Sequence, residues 1–481
     1  MLDYPLELLA RVMGASLRYP EGGTARGPVT GACTDSRKVQ AGFLFFALEG
    51  ERVDGHRFVP QVLAEGAAAA VVRAGYTPPA DLAGPLLEVP DPVLALGELG
   101  LWHRNRHPVR VVAVTGSVGK TTTKDLVAAV LGQQFRTLKS PGNYNTEIGL
   151  PLALLELRPE HEAAVVELSM RGPGQIAYLA RLARPEAAII TNIGLSHLEL
   201  LGSQDAIAAA KGEVLDFLPT RGAAILPADD AYFETLRGRL LPDVRCIAFG
   251  EQSRGGEQVS GSYFGPSAPP TGRGTNGALG SRFALHPRGK PTQRAWMPLL
   301  GRHNMRNALA AAAAGAALGI TWARIARGLA QAEISGMRME THRLSDGSLI
   351  LDDAYNASSP EAMFGALEVL REVDGLRRTA VLGSMLELGP ASEDAHRRVG
   401  EAVAAHPPGF LVTVGEGGRL IAEAAKDAGY SDDRIAVCAS NDEAIETLRE
   451  RRRPGDVILV KGSRGVAMES IVRALREDAD A

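Results

Sequence analysis

Cysteine, aromatic side chains and net charge are all scarce in this chain. The three cysteines, Cys33, Cys246 and Cys438, stand far apart among 481 residues. Their spacing fits neither a disulfide framework nor a metal cluster, so they read as packing residues in a reducing, cytoplasmic compartment. Lys and Arg number 52 against 56 Asp and Glu, a formal net charge of −4. That balance offers no general attraction for nucleic acid or an anionic membrane, and small-molecule partners are expected. The longest apolar run, LAAAAAGAALGI at 309–320, falls short of the ~20 residues that cross a bilayer, so no membrane span is expected. The opening residues MLDYPLELLARV lack the basic stretch, apolar core and small-residue cleavage site of a signal peptide. No heptad or exposed apolar stripe is present, which favours a monomer.

Hydrophobic residues make up 45% of the chain, enough for about three cores at roughly 100–200 residues per domain. Residues 1–108 open on an amphipathic helix, LELLARVM, then alternate strand-like runs (GFLFFAL, AAAAVV) with Gly and Pro turns, as in a small α/β module. Residues 109–333 change to apolar strands followed by helices (VVAVT, AAVVEL, EAAIITN, AAILP, CIAFG). This is the pattern of a parallel sheet covered on both faces. Within that part, 251–295 is rich in Gly, Ser, Pro and Arg and reads as a hairpin or a flexible loop, while an alanine-rich helix is expected over 305–319. EISGMRME reads as a linker. Residues 334–481 repeat the rhythm with TAVLGSM, FLVTVG, RIAVCAS and DVILVKG, a second open parallel sheet of Rossmann-like type. The expected class is α/β in three domains.

The stretch VTGSVGKTTTK, residues 114–124, reads as strand, tight loop and helix. Glycines let backbone N–H groups turn toward phosphate oxygens, and the helix N-terminus adds partial positive charge. Gly116, Ser117, Val118, Gly119, Lys120, Thr121 and Thr122 form the expected grip on ATP, with Lys120 at the β- and γ-phosphates and the Thr121 hydroxyl offered to Mg²⁺. Val114 stands where the general phosphate loop has its first glycine, so this is the shorter TGxxGKT form.

Further candidates are open when taken singly. Glu167 ends the strand AAVVEL at the sheet edge where ligands collect; it suits Mg²⁺ or is a surface acid. His197, after another strand end, is a second ligand or a loop histidine; Lys211 sits on a helix, where a solvated lysine is the plain reading. Asn304 and Asn307 share one face at the start of a helix, either to bind adenine or phosphate or to cap. Arg338 can neutralise phosphate charge, and Asp353 and Asn356 can bind a ribose or orient a substrate.

Taken in order, TGSVGKTTTK, SPGNYNTEIGLPLALLEL, ELSMRGPGQI, TNIGLSHLE, AAAKGE, GRHNMRN, GMRME, DDAYNASSPEAM, VLGSMLELG and VKGSRGVAMESIV resemble the Mur ligase family of peptidoglycan precursor synthesis over essentially the whole chain. GNYN-EIG-P, DDAYNA-P and the two C-terminal motifs resemble a member that joins D-alanyl-D-alanine to UDP-N-acetylmuramoyl-tripeptide with ATP. The resemblance implies that Glu167 and His197 are Mg²⁺ ligands beside Thr121. It implies a carbamylated Lys211, and adenine, phosphate and ribose contacts from Asn304, Asn307, Arg338 and Asp353. Asn143, Asn145 and Asn356 fall in motifs implied to face substrate. TDSRKVQAGFLFFALEGERVDGHRF resembles the uridine-nucleotide segment, which makes Ser36, Arg37, Asp54, Gly55 and His56 candidates at the UDP end; as local sequence they are turn residues. Three positions depart from the family pattern: Ser384 stands for an aspartate, Thr146 for an asparagine and Gln175 for a glutamate.

The implied chemistry is amide synthesis through an acyl phosphate, in which the protein positions substrates and stabilises charge without a covalent nucleophile. A sibling that adds one amino acid, a folylpolyglutamate synthetase, and a phosphate-loop regulatory ATPase are the competing readings. Folylpolyglutamate enzymes carry GKGS-like loops where this chain has GKTT. The ATPase reading leaves the UDP-like segment and GRHNMRN unexplained.

Overall fold

A computed structural model describes residues 2–19, 27–50, 53–196, 198–251, 256–270, 279–357 and 359–480. Three sheets follow one another along the chain. The first runs in the order Ser16–Arg18, Leu86–Val89, Ala69–Arg73, Phe43–Phe46, Gly31–Cys33, parallel except for its first strand. Alternation sets its two faces. Leu44, Phe46, Val71 and Leu87 meet the helices Leu6–Met13 and Pro92–Asn105, while Phe45, Ala70 and Val72 meet Val59–Ala64. Ile148, Leu152 and Leu155 join this first core from the helix Gly149–Leu155 and the residue before it, which fastens the module to the central domain.

The central sheet has nine strands, in the order Gln293–Met297, Gly280–Pro287, Glu257–Ser267, Arg245–Gly250, Ala223–Pro227, Ala187–Ile190, Arg110–Thr115, Ala163–Glu167, Thr137–Lys139. Strands Arg110–Thr115, Ala163–Glu167, Ala187–Ile190 and Ala223–Pro227 are apolar almost throughout because both faces are covered. Val112, Val114, Val165, Ile189 and Ile225 pack on helices Lys120–Leu131, Arg302–Ala317 and Trp322–Ala330. Val111, Ala113, Val166, Ile190 and Leu226 pack on Gln175–Ala183 and Gln204–Gly212.

Residues 251–295, read from sequence as hairpin or loop, contribute the strand Glu257–Ser267 parallel to Arg245–Gly250, then Gly280–Pro287 antiparallel to Glu257–Ser267, and the start of Gln293–Met297 antiparallel to Gly280–Pro287. The strands extend the sheet because Val259, Phe283, Leu285 and Ala295 reach the same core as the alanine-rich helix. That helix spans Arg302–Ala317 and is followed by Trp322–Ala330.

Alanine suits a helix wedged between a sheet and two other helices, since larger side chains would hold the axes apart. The approach of helix Trp322–Ala330 to Lys120–Leu131 is closer still. A Cβ on Gly328 would stand 2.7 Å from both Ala129 O and Val130 Cα, and backbone cannot step aside. Gly328→Ala is expected to destabilise the protein by about 1–3 kcal/mol, the usual penalty of overpacking. A thermal midpoint equal to that of the parent would show that the two helices have room to separate.

The third sheet runs Glu340–Arg343, Leu349–Asp353, Val457–Lys461, Arg378–Gly383, Phe410–Val414, Ile435–Cys438, parallel except for the first strand, with helices on both faces. Among the described residues, two hydrogen bonds tie the C-terminal domain to the central one. Tyr263 Oη donates to Glu372 Oε2 at 2.8 Å, and Ser335 N donates to Asp125 Oδ2 at 2.8 Å. Cys33 and Cys438 are buried and Cys246 is partly so; burial pushes the Cys33 thiol up to about 12. Among the described residues no helix is long and apolar enough to cross a membrane.

Candidate active site

The site forms at the C-terminal edge of the central sheet, where the strand Arg110–Thr115 turns into the helix Lys120–Leu131. Gly116 has φ 142° and Gly119 φ 83°, and neither has room for a side chain. A Cβ on Gly116 would lie 1.9 Å from Thr191 Oγ1, and one on Gly119 2.6 Å from Asn307 Oδ1. The tightness comes from a strap at the next strand end. Asn192 accepts from Ser117 N with its carbonyl and from Val118 N with Oδ1, at 3.1 Å each, and its Nδ2 donates to Val118 O at 2.9 Å. Thr191 Oγ1 donates to the same carbonyl at 2.6 Å. With the Ser117 and Val118 amides committed to Asn192, the amides free of helical partners are those of Lys120, Thr121 and Thr122 in the first turn. Anion binding concentrates there.

Lys120 Nζ donates to Gly116 O at 2.9 Å and Ser117 O at 3.2 Å. Burial lowers its pKa, Glu167 opposes that shift, and the nearby Arg338 adds to it. Thr121 Oγ1 donates to Glu167 Oε2 at 2.7 Å, and Asn145 Nδ2 donates to Glu167 Oε1 at 2.8 Å. Glu167 is therefore a buried carboxylate, 3% exposed, and not a surface acid. Lys211 is 2% exposed, which rules out the solvated-lysine reading. Its Nζ donates to Gly116 O at 3.0 Å, and burial together with Lys120 drives its pKa well below the ordinary lysine value.

Asn304 and Asn307 are both buried, and neither caps a helix, since Gly301 occupies the N-cap. Asn304 Nδ2 donates to Leu300 O, and Asn307 Nδ2 donates to Asn304 Oδ1, which sets Asn307 against Gly119. Arg338 stacks 3.8 Å over the Tyr355 ring. Asp353 accepts from Lys461 Nζ at 2.6 Å and from Met339 N at 3.1 Å, and Lys461 also donates to Asn356 O. His197 lies outside the described residues.

In the first domain, Asp35 caps the turn Ser36–Lys38 and holds the exposed Arg37 guanidinium at 2.8–2.9 Å. Asp54 caps Gly55–Phe58 and accepts from His56 N and Nδ1. Arg73 N donates to His56 Nε2, so the proton sits on Nδ1. Asp54, His56, Arg57, Arg73 and Tyr76 line a cavity of about 450 Å³. Asn143 is exposed on the loop that carries Asn145.

The three departures from the family pattern are accommodated locally. Ser384 Oγ accepts from Gly417 N, Thr146 Oγ1 from Gly149 N, and Gln175 Oε1 from Gly172 N. Sequence reading missed Asn192, Lys461 and Lys124. Lys124 is fully buried and donates to Ser140 O and Gly142 O at 3.0 Å each, fixing the base of the Asn143–Asn145 loop. Asn192 lay within the quoted TNIG, where a polar residue at a strand end opposite a phosphate loop was the available signal.

Three family models match in sequence. The Mur ligase family, catalytic domain covers residues 28–94, the Mur ligase middle domain 114–315, and the Mur ligase, glutamate ligase domain 337–464. The UDP-N-acetylmuramoyl-tripeptide–D-alanyl-D-alanine ligase of Bacillus subtilis is 37% identical over 99% of both chains. Its Escherichia coli namesake is 39% identical over 92% of this chain and 93% of its own. The crystal structure of MurF from Acinetobacter baumannii is similar over 99% of both chains, with TM-score 0.86 and 31% identity. MurF from Thermotoga maritima in complex with ADP covers 94% of this chain and 98% of its own, with TM-score 0.77 and 27% identity. On a phosphate loop closed by Glu167 and Lys211, and on likeness along nearly its full length, the chain belongs to the Mur ligase family.

Proposed function

We propose that this ligase uses ATP to join D-alanyl-D-alanine to the terminal carboxylate of UDP-N-acetylmuramoyl-tripeptide, in peptidoglycan precursor synthesis. The observation that carries the reading is the closed set Lys120, Thr121, Asn145, Glu167 and Lys211 around one loop, in a chain similar end to end to ligases of that name. A carboxylate oxygen attacks the γ-phosphorus, the bond to ADP breaks, and an acyl phosphate forms. The dipeptide amine then attacks the acyl carbon, loses a proton, and phosphate leaves.

Each residue has a part in this reading. Lys120 and the first-turn amides hold the phosphates and stabilise charge on the transferring oxygens. Thr121 and Glu167 offer hard oxygen donors 2.7 Å apart, a fit for Mg²⁺, with His197 assigned beside them by family resemblance. Mg²⁺ supplies charge neutralisation when bound. Lys211 carries a carbamate, for which a neutral buried amine is the required precursor. Asn304 and Asn307 serve the adenine side, Arg338 the phosphates, and Asp353 the ribose. Ser36, Arg37, Asp54, Gly55 and His56 take the uridine end, while Asn143, Asn145 and Asn356 face the peptide. The domains divide at 1–108, 109–333 and 334–481, one for each substrate, in a cytoplasmic monomer.

Phosphate release tests the reading. It is expected only when ATP, the UDP-tripeptide and D-alanyl-D-alanine are all present. Turnover with a single amino acid in place of the dipeptide would assign the chain to a sibling activity, and turnover with ATP alone would make it an ATPase.

A further inference from the structure

A second cluster of ligand-bearing side chains lies on the C-terminal sheet. The antiparallel strands Glu340–Arg343 and Leu349–Asp353 place Glu340 directly opposite Asp352, with His342 two residues along. Successive side chains alternate between faces of a strand. Asp352 and His342 therefore share Glu340's face, while Asp353 turns to the other side, where Lys461 holds it.

His342 Nε2 is 3.6 Å from Asp352 Oδ2 and 3.9 Å from Glu340 Oε1, and the three ligand atoms all lie within 4.8 Å of one another. Bonds of ~2.1 Å in a tetrahedral zinc site put neighbouring ligand atoms about 3.4 Å apart, so small side-chain adjustments close these three on one ion. His342 Nε2 is shielded from solvent and has no hydrogen-bond partner among the described residues, a costly condition for a buried polar atom. The Asp352 side chain is only 5% exposed.

The outer oxygens of both carboxylates are already engaged. Met337 N donates to Glu340 Oε2 at 3.2 Å, and Ala354 N to Asp352 Oδ1 at 3.1 Å. Such bonds orient a carboxylate and leave its other oxygen for the ion. They leave Glu340 Oε1 and Asp352 Oδ2 facing His342 Nε2.

We infer that Glu340, His342 and Asp352 form a site for a divalent transition ion of zinc type, bound through one imidazole nitrogen and two carboxylate oxygens with a fourth position for water. Imidazole disfavours Mg²⁺ and Ca²⁺, which prefer oxygen. The orienting bonds come from Met337 and Ala354, the neighbours of Arg338 and Tyr355, which stack on each other. An ion here braces the strand pair that presents Arg338 to the nucleotide site.

The test uses the full chain, stripped by chelator and titrated with Zn²⁺ or Co²⁺ alone. Losing an outer-shell partner costs metal sites about 10–100-fold in affinity, so losing a ligand should exceed 100-fold. One bound equivalent is expected to disappear in His342→Gln and in Asp352→Asn. The intense visible absorption of four-coordinate Co²⁺ is expected in the parent and absent from His342→Gln. The difference between parent and variant separates this site from any ion at Glu167. If either variant fails to fold, Glu340→Gln at the exposed rim gives the same readout. Equal stoichiometry and equal Co²⁺ spectra in parent and variants, or no ion bound by the parent, overturn the site and leave an imidazole paired with two carboxylates.

Discussion

Lys120→Ala is expected to lower ADP formation by about 100- to 1,000-fold with all three substrates present, the range seen when a donor to developing charge is removed. Lys120 is the first residue of its helix and already reaches the carbonyls of Gly116 and Ser117, so its ammonium is held within the loop. Desolvation lowers its pKa, a sign that its charge is costly where it sits and strongly felt by an anion placed there. The effect belongs in kcat more than in KM, because charge on the transferring oxygens grows toward the transition state. Folding should survive, since the change removes a cation whose burial is unfavourable. ADP formation near the parent rate in a folded Lys120→Ala protein would falsify the role given to the loop.

Lys211→Ala is expected to cost a similar factor, and for the parent a comparable loss should follow removal of dissolved CO₂ and bicarbonate. Only a neutral amine adds to CO₂. An ordinary lysine offers little neutral amine at pH 7, whereas burial and the neighbouring Lys120 carry Lys211 in the required direction. The sign for stability follows from the same shift. The folded pKa lies below the unfolded value, so between the two the unfolded chain binds more protons and stability rises with pH; below the folded pKa the full penalty is present. Lys211→Met should flatten that slope in denaturant titrations at several pH values. Full activity in Lys211→Ala, together with indifference of the parent to bicarbonate, rules out the carbamate.

Features built from neighbours in sequence were the legible ones. The strand, loop and helix of VVAVTGSVGKTTTK could be read because a phosphate cradle needs glycines, a lysine and a hydroxyl within one turn. Glu167 was findable across 46 residues from Thr121 because strand ends in a parallel sheet converge on one edge. The burial of Lys211 was not findable from its helix, whose exposed face would look the same; family resemblance alone singled it out. Lys124 and Lys461 act on backbone carbonyls or a carboxylate brought near by tertiary packing, and no local pattern marks such bonds, while Asn192 was marked only by its place at a strand end. The strand Glu257–Ser267 hid behind Gly, Ser and Pro because its pairing partners, rather than its propensity, make it a strand.

The bond from Ser335 N to Asp125 fastens the start of the C-terminal domain to the phosphate-loop helix. Asp125 lies five residues beyond Lys120 on the same helix, about 1.4 turns and about 7.5 Å along its axis. One carboxylate on the phosphate-loop helix thereby couples the seating of the segment that leads to Arg338 to the loop itself.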